Sequence, residues 1–134
     1  MGLFGKVKVA VKNTDSKAGE AIDKGKVKSK ISDEKKEIDK LITKIGTIYY
    51  EAHVSDTDVR ADVDAICVEI DERKAKIAEY EEEIKKIEEE GQKEREQNKL
   101  DVEAEEEAKR QAKEEAKKAK EEAAAQESSD ESEE

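Results

Sequence analysis

The sequence predicts an all-α protein: an antiparallel coiled-coil helical hairpin, preceded by an N-terminal amphipathic helix and followed by an acidic tail that is a solvated helix or disordered. Three observations predict it. Apolar residues recur in alternating steps of three and four through the middle of the chain, the spacing that lines one seam of a slightly underwound helix. Proline is absent and glycine occurs only six times in 134 residues, so little interrupts a helix. Charged residues make up 49% of the chain and aromatics 3%, which leaves too little apolar volume for a dinucleotide-binding fold, a barrel or a β-sandwich.

The net charge of −11 is unevenly spread. Residues 1–30 carry +5, residues 31–90 carry −9 and residues 91–134 carry −7. That asymmetry divides the chain into a basic amphipathic head (1–26), an α-hairpin (27–90, turning at about 53–57) and an acidic low-complexity tail (91–134).

The hairpin has the clearest pattern. Its first seam runs Val27, Ile31, Ile38, Leu41, Ile45, Ile48 and Ala52, interrupted only at Glu34. The second runs Val59, Val63, Ile66, Ile70, Ile77, Tyr80, Ile84 and Ile87, interrupted only at Arg73. The short connection between them forces antiparallel neighbours. Within it, Ser55 with Asp58, or Thr57, is placed to cap the second helix. One register stacks Leu41 on Ile66, Ile38 on Ile70 and Glu34 on Arg73; another, half a heptad later, sets Glu34 and Arg73 each against an isoleucine. The first is preferred because it pairs the two charged seam residues, which makes Glu34 and Arg73 a register-setting pair. Ile42, Tyr49 and Cys67 flank the seam near the turn and widen it. One stripe per helix is a small core, so a homodimer or a partner helix is expected to cover the excess.

In the head, Leu3, Phe4, Val7, Ala10, Val11, Thr14, Ala18, Ala21, Ile22 and Gly25 fall within an arc of about 120° on a helical wheel. Lys6, Lys8, Lys17 and Lys24 sit at or just beyond its rims, and only Val9 and Val27 fall opposite. Even in one unbroken helix this arc points away from the hairpin partner. Apolar bulk on one face with lysines whose stems can snorkel suits an anionic membrane surface. The expected membrane-binding residues are therefore Leu3, Phe4, Val7, Val11 and Ile22 with Lys6, Lys8, Lys17 and Lys24. Glycines weaken the isolated helix by about 1 kcal/mol each relative to alanine, so the head is expected to order only where its apolar face is covered. The competing readings are a head folded back as a third helix or docked on a partner protein. Nucleic acid is not expected as a partner: the lysines lack accompanying arginines or a stacking platform, and the acidic remainder repels phosphate.

After Gly91 the apolar seam fails. Leu100 and Val102 are the last large apolar residues, so the tail is expected not to pack, to be at most a solvated helix to about Ala125, and to be disordered over 126–134. Chemistry-bearing residues are few. His53 is the only histidine and is expected exposed at the turn. Cys67 is the only cysteine, with no ligand partner for zinc, and reads as a filler at the seam edge; Tyr49, Tyr50 and Tyr80 read as packing residues. No nucleophile–base set, phosphate loop or carboxylate pair in a pocket can be assembled, so no catalytic residue, metal ligand, cofactor or small-molecule substrate is expected. No apolar run reaches the roughly 20 residues of a membrane span, and the lone cysteine fits a reducing compartment.

The run Met1-Gly2-Leu3-Phe4-Gly5-Lys6-Val7-Lys8, then Gly25-Lys26-Val27-Lys28-Ser29-Lys30-Ile31 and Ile45-Gly46 followed by Tyr49-Tyr50, resembles a group of small uncharacterised Gram-positive-type bacterial proteins. The resemblance spans about residues 1–90. It implies a short amphipathic helix and a helical hairpin; the zinc ribbon that often ends such proteins has no counterpart here, as there is no Cys-x-x-Cys pair. By architecture alone the chain is also similar to membrane-remodelling coiled-coil proteins of the phage-shock type, whose hairpin is far longer. The function expected is that of a non-enzymatic coiled-coil protein, cytoplasmic and reversibly peripheral to the inner face of the cell membrane through its head, with a scaffold or stress-related role. The alternative is a soluble interaction or adaptor module.

Overall fold

The computed structural model describes residues 2–132, and the fold is the all-α hairpin that the seam spacing requires. Helix α1 spans Leu3–Ser55 and helix α2 spans Arg60–Ser132. The chain forms two compact units, Lys17–Gln92 and the pairing of Met1–Ser16 with Lys93–Glu134.

In the Lys17–Gln92 unit the core is Ile38, Ile66 and Ile70, with Leu41, Ile45, Ile48 and Ile77 packed against it. Val27, Ile31 and Val63 are buried on the same seams. The two charged seam residues meet, Arg73 Nη1 donating to Glu34 Oε2 at 2.9 Å, as in the register that stacks Ile38 near Ile70. Glu34 keeps the pair mostly shielded, with 14% of its side chain exposed, and Glu69 approaches Arg73 Nη2 at 3.5 Å.

The reversal is built by four residues. Asp56 adopts a left-handed conformation, φ 54°, and the Thr57 N–H donates back to the Ala52 carbonyl at 3.2 Å. This is the bond of a Schellman ending, with Asp56 in the place glycine usually takes. Helix α2 is then opened by Asp58, whose Oδ1 accepts the Arg60 N–H at 3.1 Å. That bond, together with the Arg60 guanidinium, holds the Asp58 carboxyl below the usual carboxylate range. The capping residue is therefore Asp58 rather than Ser55 or Thr57, whose hydroxyls bond each other at 2.9 Å while Ser55 Oγ also donates to the Glu51 carbonyl.

The second unit departs from the sequence expectation. The head is helical from Leu3, and the tail does pack: Val102, 1% exposed, is the most deeply buried large side chain of the described residues. Gly5 and Ser16 are buried too, and Val9, Asn13, Asn98 and Glu106 are half-buried. The seam therefore does not fail at Gly91; it changes composition. Within this unit the buried positions of α1, Gly5 and Ser16, are eleven residues apart. An eleven-residue period gives about 3.67 residues per turn, which keeps a face aligned without the heptad's large side chains. Beyond Glu106 every residue to Glu131 is exposed, and α2 continues as a solvated helix carrying local pairs such as Arg110–Glu107 at 3.1 Å. The stretch 126–132 is helical, not disordered as composition suggested, and residues 133–134 lie outside the described residues.

Three side chains read as packing residues are surface residues instead: Tyr49, Tyr50 and Cys67 are exposed. Heptad flanks close to a two-helix seam stay wet because no third element covers them. Tyr80 is half-buried, with the Lys30 ammonium 5.9 Å from its ring centre.

Candidate functional site

Two opposite faces of the head meet different surroundings. The face turned to α2 carries Gly5, Val9, Asn13 and Ser16, all small or polar apart from Val9. Asn13 Oδ1 and Ser16 Oγ are buried there without a hydrogen-bond partner. Beside this face the head makes two polar contacts with α2. Lys8 Nζ lies 2.7 Å from Glu105 Oε2, and the Gly2 N–H donates to Glu106 Oε2 at 3.1 Å.

The opposite face holds the apolar arc, and it is bare. Phe4 is 91% exposed and Leu3 78%; Val7, Val11 and Ile22 are also exposed. The wheel anticipated this direction, since Val9 and Val27, the two valines placed opposite the arc, are the ones half-buried and buried. Contiguous exposed apolar side chains on one face are what interaction sites present.

The four lysines grouped with that arc divide in two. Lys6 and Lys17 lie exposed at its rim. Lys8 and Lys24 are engaged with α2, Lys8 with Glu105 and Lys24 with Glu88 at 3.3 Å. Sequence reasoning missed Glu88, Glu105 and Glu106 as partners of the head because a run of glutamates looks alike at every position. The signal available was the eleven-residue step from Val27 back to Ser16 and Gly5, which marks the face that must meet α2. The carboxyl of Glu105 is held below its ordinary range, first by the hydrogen bond and charge of Lys8 and then by Lys109.

Elsewhere the surface recesses are open grooves on helix faces lined by charged side chains, such as those at Glu79, Glu82, Glu83 and Lys86, or at Glu69, Glu72, Arg73 and Lys76. Among the described residues, no group of three or more His, Cys, Asp or Glu side chains is placed to hold a metal ion, and no helix is long and apolar enough to cross a membrane. His53 is exposed at the end of α1.

Compared with known proteins, the chain matches no protein-family model, no curated protein and no solved structure.

Proposed function

We propose that the chain is a non-enzymatic helical hairpin that attaches reversibly to an anionic membrane surface, the inner face of the cell membrane, through the apolar arc of its head. The observation that carries this reading is the exposure of Leu3, Phe4, Val7, Val11 and Ile22 on the side of α1 opposite α2, with Lys6 and Lys17 at the rim. Apolar side chains would enter the headgroup boundary while the lysine ammoniums stay at the phosphates.

Magnitudes favour reversible binding. Five such side chains could contribute about 1.5–3 kcal/mol each at full burial and about half that at an interface. The helix is already formed, so little conformational entropy remains to be lost on binding. Each rim lysine adds about 1 kcal/mol near anionic lipid. The acids of α2 oppose this, but they lie across a helix about 10 Å wide, beyond the roughly 8 Å Debye length of physiological salt.

Vesicle co-sedimentation tests the proposal, comparing phosphatidylglycerol-containing with neutral phosphatidylcholine vesicles. The wild-type chain is expected to bind the anionic vesicles, and Leu3→Glu with Phe4→Glu to lose at least about tenfold in binding with unchanged melting. Wild-type protein that stays in the supernatant, or a double variant that binds equally well, sinks the reading. Point substitutions are preferable to deleting residues 1–25, because deletion would also uncover the seam around Val102.

A further inference from the structure

Near the turn, α1 carries a second heptad stripe that its partner helix does not use. Residues 39, 42, 46, 49 and 53 follow one another in steps of three and four. In heptad terms the stripe lies about 100° around the helix from the seam. Each of these positions is exposed. Its centre is Gly46, where an added Cβ would meet nothing within 4 Å.

The order of side chains along the stripe is self-complementary about that glycine. If a second copy lies antiparallel with Gly46 on Gly46, Ile42 faces Tyr49 of the other copy and Asp39 faces His53. Each layer occurs twice by symmetry, so one arrangement supplies four apolar side chains and two acid–base contacts. In the parallel arrangement every layer sets like on like: aspartate on aspartate, histidine on histidine. The charges therefore select the antiparallel pairing and reject the parallel one. Glycine at the axis lets the two backbones approach closely enough for the flanking Ile42 and Tyr49 to touch.

We propose that this stripe is the surface on which two copies of the chain associate, antiparallel and two-fold symmetric, with Gly46 on the axis. A two-fold interface must be complementary to itself, and this stripe is. Four apolar side chains and exposed ion pairs make a weak dimer, with Kd on the order of 10–100 µM.

Sedimentation equilibrium of the full chain over a concentration series tests it. The mass is expected to rise from 15.1 kDa toward twice that value. Gly46→Lys places two ammoniums on the axis yet strengthens the isolated helix, so it is expected to be monomeric with undiminished helicity. Asp39→Lys is expected to weaken dimerisation at least about tenfold and Asp39→Lys with His53→Asp to restore it. Cysteine cross-linking gives an independent reading: in a Cys67→Ser background, Gly46→Cys should oxidise to a disulfide-linked dimer, whereas Lys44→Cys, on the opposite side of α1, should not. A chain that remains monomeric to about 1 mM, a Gly46→Lys variant that still dimerises, or equal cross-linking at positions 44 and 46 overturns the proposal.

Discussion

Lys8 and Glu105 are 97 residues apart in sequence and in contact in the fold, Nζ to Oε2 at 2.7 Å, and the contact lowers the pKa of Glu105. A carboxylate with a depressed folded pKa contributes stability that is present above the ordinary glutamate value and lost as pH falls through the folded one. Both side chains are nearly half exposed, so the effect is local rather than a large share of the folding free energy. Carboxyl chemical shifts followed through a pH titration should show Glu105 titrating below the ordinary glutamate value. In Lys8→Met its midpoint should rise. Amide exchange of residues 3–12 should quicken as pH falls through the wild-type midpoint, after correction for intrinsic exchange rates.

The Glu34–Arg73 contact is a different kind of pair. It sits between isoleucine layers, and Arg73 Nε is buried without a partner even when the pair is intact. Glu34→Ala leaves the guanidinium short of an acceptor and is expected to cost about 1–3 kcal/mol in thermal or urea unfolding. Replacing both residues by leucine is expected to be neutral or stabilising, while loosening the register. Spin-label distances between positions 35 and 74 would then broaden. A double variant as unstable as Glu34→Ala would contradict a register role.

Asp56 carries a left-handed backbone that costs a side-chain-bearing residue about 1–2 kcal/mol relative to glycine. Part of that gain is lost to the greater freedom of glycine in the unfolded chain. Asp56→Gly is therefore expected to stabilise the hairpin by about 0.5–1 kcal/mol, and Asp56→Val to destabilise it, both read by thermal unfolding.

Core and arc should respond oppositely to truncation. Ile66→Ala opens a cavity in the Ile38–Ile66–Ile70 core and is expected to cost about 2–3 kcal/mol. Val102→Ala is expected to cost about 1–2 kcal/mol and to speed amide exchange in the head, because Val102 is the one deeply buried large side chain among the described residues of that unit. Phe4→Ala should leave stability within about 0.5 kcal/mol of wild type, because the ring is 91% exposed. A destabilising Phe4→Ala would mean that the ring is covered in the protein's solution state.

Much of this molecule could be read from the order of its residues. The seams Val27–Ala52 and Val59–Ile87, the antiparallel turn between them, the meeting of Glu34 with Arg73 and the outward direction of Leu3 and Phe4 all follow from helical periodicity. Periodicity is a local property: it states which face of a helix is apolar and how far that face extends. It does not state which distant segment lies against a face made of Gly5, Asn13 and Ser16, nor which of many glutamates meets Lys8. Those pairings depend on small side chains that let helices approach and on ion pairs whose geometry exists only once the helices are side by side. For the same reason the order of the head and the packing of the tail were missed, since each is supported by a segment remote in sequence. Composition and spacing alone determined an all-α hairpin with a bare apolar arc. The tertiary structure decided that head and tail form one packed unit, because the burial of Val102 and the bond from Lys8 to Glu105 require two segments that only the fold brings together.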